Sequence, residues 1–234
     1  AASSSKTIGS RKIAWALLAV SYLFILLNLP SAFIAFLPVA ALITFGATYL
    51  LTRSPEGFTA QVPVISWMVL LTGYAPAFAV LLFTLPDAMN ERAASAGWFL
   101  LLVLLTEAND ITQALFGRWL GKRKLAPQVS PNKTWAGFVG GVCTTVMLAV
   151  ILSHWLSPWH PLTAGIAGLM IAVMGTLGDL NMSAFKRDRH VKDSGNLFPG
   201  QGGMLDRIDS LTFTAPTFYF FTLLAHAITH TGTT

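Results

Sequence analysis

The sequence predicts an all-α membrane protein, a polytopic bundle of about seven transmembrane helices. Only 11% of its 234 residues are charged and 54% are hydrophobic, whereas soluble domains usually carry about 25% charged residues. The apolar residues are gathered in long runs, and about 20 apolar residues are enough for one helix to cross a bilayer. Short links with prolines or basic residues separate these runs, so each run is expected to form its own span.

The apolar runs set the order of the predicted spans. They are residues 13–29, 31–51, 62–85, 94–119, 135–153, 162–178 and 210–229. Pro76 is expected to kink the third span, because proline removes a backbone hydrogen bond. The first span has no clear cleavage site behind its basic start and is expected to be retained. Two parts are predicted: N-terminal helices in residues 1–93, and a second transmembrane part in residues 94–234 with loops 117–134 and 179–209 that hold most of the polar residues considered below.

The lysines and arginines predict how the spans are oriented. The link 117–134 carries five basic and no acidic residues, and the link 179–209 also carries five basic residues. The positive-inside tendency places both links, and the basic N-terminus, on the cytoplasmic side. The link 154–161 has no Lys or Arg and falls outside. These features indicate an integral protein of the cell inner membrane. No basic patch with interleaved aromatic residues indicates nucleic acid as a partner, and the single Cys143 excludes an intramolecular disulfide.

A polar stretch from Gly178 to Asp209 contrasts with this apolar chain. It holds ten of the chain's 25 charged residues, and such a concentration is a candidate site of chemistry. The acids of interest are Asp110, Asp179, Asp206 and Asp209. Carboxylates with substrate phosphates are the usual surroundings of Mg²⁺. The residues alone leave two interpretations open: a metal site, or salt bridges. In the second, Asp206 and Asp209 flank Arg207, and Lys186 or Arg187 pairs with Asp179.

Basic residues and glycines of the same stretch are suited to phosphate groups. The basic residues are Lys186, Arg187, Arg189, Lys192 and Arg207. The glycine run 200–203 allows close backbone approach, and its N–H groups can cradle an anion. For Lys122, Arg123 and Lys124, a solvated loop is the better interpretation.

A second polar group lies at Ser130-Pro-Asn-Lys-Thr-Trp135. Ser130 before Pro131 predicts the start of a helix. Lys133 and Thr134 would then offer donors to a phosphate at the helix N-terminus.

Residues 183–209 resemble the signature of phosphatidate cytidylyltransferases, also called CDP-diacylglycerol synthases. The matching positions are Ser183, Phe185, Lys186, Arg187, Lys192, Asp193, Gly195, Pro199, Gly202, Gly203, Asp206, Arg207, Ile208 and Asp209. Upstream, the second conserved block of the family is similar to Asn109-Asp110, Phe116-Gly-Arg118, Gly121-Lys122, Lys124-Leu125 and Ser130–Trp135. The resemblance covers roughly residues 106–216.

The resemblance implies a Mg²⁺-dependent reaction of CTP with phosphatidic acid that gives CDP-diacylglycerol and pyrophosphate. The implied site could also bind a second cation. The implied catalytic residues are Asp179, Lys186, Asp206 and Asp209. The implied metal ligands are Asp179, Asp206, Asp209 and Asp110. The implied substrate-binding residues are Ser130, Lys133, Thr134, Arg187, Lys192, Asp193, Gly202, Gly203 and Arg207. A site on the cytoplasmic side and a homodimer are also implied.

Three positions depart from the family pattern. Gln201 replaces a histidine, Ala136 a common glutamate, and Gln113 a common aromatic residue. These departures leave the lipid acceptor open, so a CTP-dependent enzyme acting on another lipid phosphate is one alternative. A membrane transporter is another, because polar residues within helices and a kinked span also occur in transporters. A CDP-alcohol phosphotransferase fits less well, since the order Gly178-Asp179 and the spacing of Asp206 and Asp209 differ from its pattern.

Overall fold

The computed structural model describes residues 2–52, 56–85, 96–191, 193–195 and 203–231, with side chains described between residues 11 and 228 of these ranges. The helices are α1 (Ala2–Leu26), α2 (Pro30–Thr52), α3 (Phe58–Val69), α4 (Ala75–Leu81), α5 (Ala96–Leu120), α6 (Trp135–Leu156), α7 (Pro161–Asp188), α8 (Leu205–Ile208) and α9 (Leu211–Thr231). A π-helical turn at Leu70–Tyr74 joins α3 to α4, and a 3₁₀ turn at Leu82–Thr84 follows α4. Two short strands, β1 (Lys124–Ala126) and β2 (Ser130–Thr134), form a hairpin between α5 and α6.

Six helical segments among the described residues are long and apolar enough to cross a membrane. They are Pro30–Thr52, Phe58–Thr84, Ala96–Leu120, Trp135–Leu156, Pro161–Asp188 and Leu211–Ile228. These segments coincide with predicted spans two to seven, and the first predicted span falls largely within α1. The prediction of an all-α polytopic bundle is therefore confirmed.

Residues 1–77 form one compact unit. Its core joins α2 and α3 through Leu37, Ala41, Phe45, Tyr49, Val62 and Val69. In the π-helical turn the N–H of Ala75 donates to the carbonyl of Leu70. The next residue, Pro76, has no N–H to donate. The helix thus departs from α geometry beside the residue at which the sequence predicted a kink.

Residues 78–234 form the second compact unit. Phe78, near the end of the third span, packs against Tyr219 and Phe220 of α9 within this unit. The predicted boundary after residue 93 lies outside the described residues and stays a prediction. Within this unit α6 packs against α5 and α7, and α7 packs against α9. Gly168 marks a close approach of α7 to α6, since a Cβ there would lie 2.7 Å from Ala149 Cβ and 3.0 Å from the carbonyl of Thr145. Small residues at such crossings let helix backbones approach closely.

The two predicted loops of this unit are more regular than expected. In the link 117–134, β1 and β2 pair antiparallel, with Lys124 opposite Thr134. Ser130 therefore lies in a strand and does not start a helix. The cap of α6 is Thr134, whose side-chain oxygen accepts a hydrogen bond from Gly137 N at 3.1 Å. In the link 179–209, α7 continues to Asp188, because good helix formers follow Asp179 and no glycine or proline interrupts them.

We expect Gly168→Ala to lower the stability of the folded protein, because the added methyl group forces α6 and α7 apart. The cost should be about 1–3 kcal/mol in the free energy of unfolding. Thermal unfolding in detergent measures this effect. Gly165→Ala is the matched control, since a Cβ there would meet its nearest neighbour at an ordinary 3.7 Å. Equal melting temperatures for the two variants would contradict the close helix contact.

Candidate active site

The polar residues of the second unit meet in a cavity of about 890 Å³. Its acidic lining residues are Glu107, Asp110, Asp179, Asp206 and Asp209. Its basic lining residues are Arg118, Lys124, Lys133 and Arg207. All four acids singled out in the sequence thus lie in the same cavity, although they come from α5, α7 and the segment around α8.

Asp179 lies on α7 and pairs with Lys133 of β2. The Lys133 Nζ to Asp179 Oδ2 distance is 2.6 Å, and Ser183, one turn later on α7, donates its hydroxyl to Asp179 Oδ1 at 3.2 Å. The predicted salt bridge of Asp179 therefore exists, but its partner is neither Lys186 nor Arg187. The reason is the extension of α7, which turns Lys186 toward Asp206, while the hairpin brings Lys133 across to Asp179.

Asp206 is held by four hydrogen-bond donors of the protein. Lys186 Nζ donates to Oδ1 at 2.8 Å. The backbone N–H and the hydroxyl of Ser194 and the backbone N–H of Gly203 all donate to Oδ2, each at 2.8 Å. Partial burial acts to raise the pKa of Asp206, but these donors prevail and hold that pKa well below its usual range. Asp206 therefore fastens both Ser194 and Gly203 to α7, which is a structural task different from the metal ligation expected of it.

Asp209 and Asp110 are brought together by Ser210. The Ser210 hydroxyl donates to Asp110 Oδ2 at 2.6 Å, and the Ser210 N–H donates to Asp209 Oδ1 at 2.9 Å. The second oxygen of Asp110, Oδ1, is buried and accepts no hydrogen bond from the described residues. Burial and the nearby negative charge of Asp179 raise the pKa of Asp209 to about 7. These acids thus form an electrostatically crowded group that a cation would stabilise.

Gly178 allows this group to form. A Cβ at Gly178 would lie 2.8 Å from the carbonyl oxygen of Asp209 and 3.2 Å from that of Ser210. Only a glycine lets the start of α9 approach α7 so closely without a shift. Asp179 and Asp209 are therefore neighbours because residue 178 has no side chain.

Buried polar contacts lie beneath the cavity. Gln113 donates from Nε2 to Thr176 Oγ1 at 2.7 Å, and Thr176 donates to the carbonyl of Ala172 at 2.7 Å. Asn109 is fully buried and contacts the same carbonyl at 3.4 Å. These bonds connect α5 and α7 about one helical turn from Asp110 and Asp179. Gln113, one of the departures from the family pattern, is therefore both a buried structural residue and part of the cavity wall.

The remaining predicted site residues have different positions. Thr134, Lys133 and Arg207 line the cavity, and Gly203 binds Asp206. Arg187 contacts the carbonyl of Val129 in the hairpin turn at 3.5 Å. Ser130 is half-buried in β2 and Asp193 is exposed. Lys192, Gly202 and Gln201 lie outside the described residues.

Sequence reasoning missed several residues of the cavity. Lys124 was interpreted as part of a solvated loop together with Lys122 and Arg123, but it lines the cavity, as does Arg118. The sequence offered no signal that distinguishes Lys124 from Lys122, because side chains two residues apart share a face in an extended segment. Ser210 carried no signal in the sequence, because its importance depends on a contact with a residue 100 positions away.

Among the described residues, no three acidic, histidine or cysteine side chains converge closely enough to hold a metal ion by themselves. This geometry does not suit a closed protein cage of the kind that zinc occupies. It is compatible with Mg²⁺, which usually binds through one or two carboxylates and completes its shell with waters and substrate phosphates.

The fold and the cavity describe an integral-membrane protein that brings carboxylates and basic side chains together in one cavity. A model of the cytidylyltransferase family matches residues 2–225. The chain therefore belongs to the cytidylyltransferase family, and the resemblance drawn from residues 106–216 is confirmed.

Individual relatives agree with this assignment. The chain is 44% identical over 202 residues to YnbB, an uncharacterized protein of Escherichia coli. The matched region covers 86% of this chain and 67% of that protein. It is 47% identical over 137 residues to a phosphatidate cytidylyltransferase of Haemophilus influenzae, covering 54% of this chain and 48% of that enzyme. For the phosphatidate cytidylyltransferase of Bacillus subtilis the identity is 48% over 109 residues, covering 46% of this chain and 40% of that enzyme. The chain thus spans about half the length of the curated phosphatidate cytidylyltransferases that it matches.

We expect Asp206→Asn to impair the site by releasing Ser194 and Gly203 and by leaving Lys186 without its partner. Turnover should fall by roughly tenfold or more, since hydrogen bonds to a charged group contribute about 1.5–3 kcal/mol each. The affinity for Mn²⁺, measured by electron paramagnetic resonance, should stay within about twofold, because Asp206 already has four protein donors. A parallel loss of Mn²⁺ affinity would instead make Asp206 a metal ligand.

Proposed function

We propose that this protein transfers a cytidylyl group from CTP to phosphatidic acid, giving CDP-diacylglycerol and pyrophosphate in phospholipid biosynthesis. A phosphate oxygen of the lipid attacks the α-phosphorus of CTP, and the bond from that phosphorus to the pyrophosphate oxygen breaks. The observation that carries the proposal is the meeting of the five acids and four bases in one cavity of a cytidylyltransferase-family chain. Family membership also disfavours the transporter alternative.

The volume of the cavity supports this proposal. Sites for small molecules commonly measure about 300–1,000 Å³, so about 890 Å³ accommodates a nucleotide together with a lipid headgroup. The lining is strongly charged, as two phosphate-bearing substrates require. The acyl chains would remain between the apolar helices, with the site facing the cytoplasmic side of the cell inner membrane.

The basic residues of the cavity would bind and align the phosphates. Arg118 and Lys124 are exposed at the end of α5 and the start of β1, where an incoming polyphosphate can reach them. Lys133 is more buried and holds Asp179, so it is suited to move between the carboxylate and a bound phosphate. Arg207 adds a fourth positive charge to the lining. Charge neutralisation and alignment supply most of the catalysis in phosphoryl-type transfers, because the nucleophile is already an anion.

The carboxylates fit a Mg²⁺ site that becomes complete when substrate is bound. Asp110 supplies a buried oxygen that accepts no hydrogen bond within the described part of the chain, and Asp179 and Asp209 also belong to the cavity lining. We therefore assign Asp110, Asp179 and Asp209 as the carboxylates from which one or two ligands to each cation come, with waters and substrate phosphates as the remaining ligands. Asp206 is assigned to the organisation of Ser194 and Gly203. When bound, Mg²⁺ or a pair of cations would neutralise charge on the phosphates. A homodimer is part of the same proposal and follows from family resemblance.

A CTP-dependent enzyme acting on another lipid phosphate is the second candidate. Gln113 favours it, because this residue departs from the family pattern and lines the cavity. A changed side chain in the wall of the cavity is a physical basis for a changed acceptor. Such an enzyme would use the same acids and bases for the same phosphate chemistry.

We expect the purified chain in detergent to incorporate labelled CTP into phosphatidic acid in the presence of Mg²⁺. Asp179→Asn should lower this activity at least about 100-fold, because it removes a carboxylate that faces the reacting phosphates. Asp188→Asn on the same helix is the matched control, since the Asp188 side chain is 78% exposed and absent from the cavity lining.

A panel of lipid phosphates in the same assay separates the two candidates. CDP-diacylglycerol as the main product supports the first, and a CDP-lipid formed only from another acceptor supports the second. Absence of any CDP-lipid, with the protein folded and Mg²⁺ present, would overturn both.

A further inference from the structure

Ser210 contacts two carboxylates of the cavity that come from distant parts of the chain. It lies between α8 and α9 and is only 4% exposed. Its hydroxyl donates to Asp110 of α5, and its backbone N–H donates to Asp209. A serine hydroxyl has one hydrogen to donate, and the 2.6 Å contact commits that hydrogen to Asp110 Oδ2.

The same contacts determine which carboxylate oxygen remains available. With Oδ2 of Asp110 occupied, Oδ1 is left as a buried acceptor without a hydrogen bond from the described residues. Ser210 is itself fixed in place, because Gly178 of α7 meets its carbonyl closely and Thr214 donates to that carbonyl at 3.2 Å. The hydroxyl of Ser210 therefore orients Asp110 from a rigid position.

We propose that Ser210 is a positioning residue that orients Asp110, and steadies Asp209, so that Asp110 Oδ1 faces a divalent cation. The proposal deepens the proposed function, on which the identity of the cation rests. Residues that hydrogen-bond a metal ligand fix its orientation, and their loss commonly weakens metal binding by about 10–100-fold. Ser210 is not assigned any contact with substrate.

The test measures Mn²⁺ binding to the full chain in detergent by electron paramagnetic resonance, in the absence of CTP and lipid substrate. Mn²⁺ is the probe because carboxylate sites for Mg²⁺ also bind it. Ser210→Ala should weaken Mn²⁺ binding roughly tenfold. Ser210→Cys, similar in size but a weaker donor, should give an intermediate affinity. Thr222→Val is the matched control, because Thr222 is buried on α9, the helix that directly follows Ser210, and its hydroxyl donates to Phe218 O of that helix.

A double-mutant cycle separates positioning from a general loss of stability. In an Asp110→Asn background, Ser210→Ala should have little further effect on Mn²⁺ affinity, because the group that it orients has already been changed. Full Mn²⁺ affinity in Ser210→Ala, or an equal loss in Thr222→Val, would overturn the proposal. Weaker Mn²⁺ binding in Ser210→Ala but not in Thr222→Val supports the positioning role, even if the wild type transfers no cytidylyl group. A failure of the positioning role is therefore distinguishable from a failure of the proposed function.

Discussion

The close contact between α7 and the start of α9 at Gly178 is the constraint on which the site depends. Because residue 178 has no Cβ, the carbonyls of Asp209 and Ser210 lie against α7. This contact brings Asp209 beside Asp179 and lets Ser210 reach Asp110 on α5. A side chain at this position would move Asp110, Asp179 and Asp209 apart and would lower the density of acidic groups in the cavity.

The acids of the cavity divide into two kinds by their hydrogen bonds. Asp206 is saturated with donors, and its charge serves to hold Ser194, Gly203 and Lys186 in place. Asp110 and Asp209 each accept a hydrogen bond from Ser210, but Asp110 Oδ1 accepts none from the described residues, and burial beside Asp179 disfavours the charged form of Asp209. Uncompensated charge near a membrane is unfavourable, and a site that binds cations and phosphates is a setting in which such charge is compensated on binding.

The buried polar contacts beneath the cavity explain how a charged site is supported by apolar helices. Gln113 and Thr176 connect α5 to α7 with a 2.7 Å hydrogen bond, and Thr106 and Thr214 connect α5 to α9 at 3.3 Å. Apolar packing alone would allow the helices to slide, whereas such directional bonds fix their register. The position of Asp110 relative to Asp179 is set by this register.

The sequence by itself determined the helical spans and the residue types of the site. Apolar runs predict spans well because each helix must cover the bilayer thickness and satisfy its own backbone, and six predicted spans coincide with the observed helices. The spaced acids and bases of residues 179–209 likewise indicated a phosphate-handling site. Only the tertiary structure decided the pairings: Lys133 with Asp179, Lys186 with Asp206, and Ser210 with Asp110. Composition and periodicity describe single segments, whereas these pairs depend on how closely two helices pack, which at Gly178 is a matter of one missing methyl group.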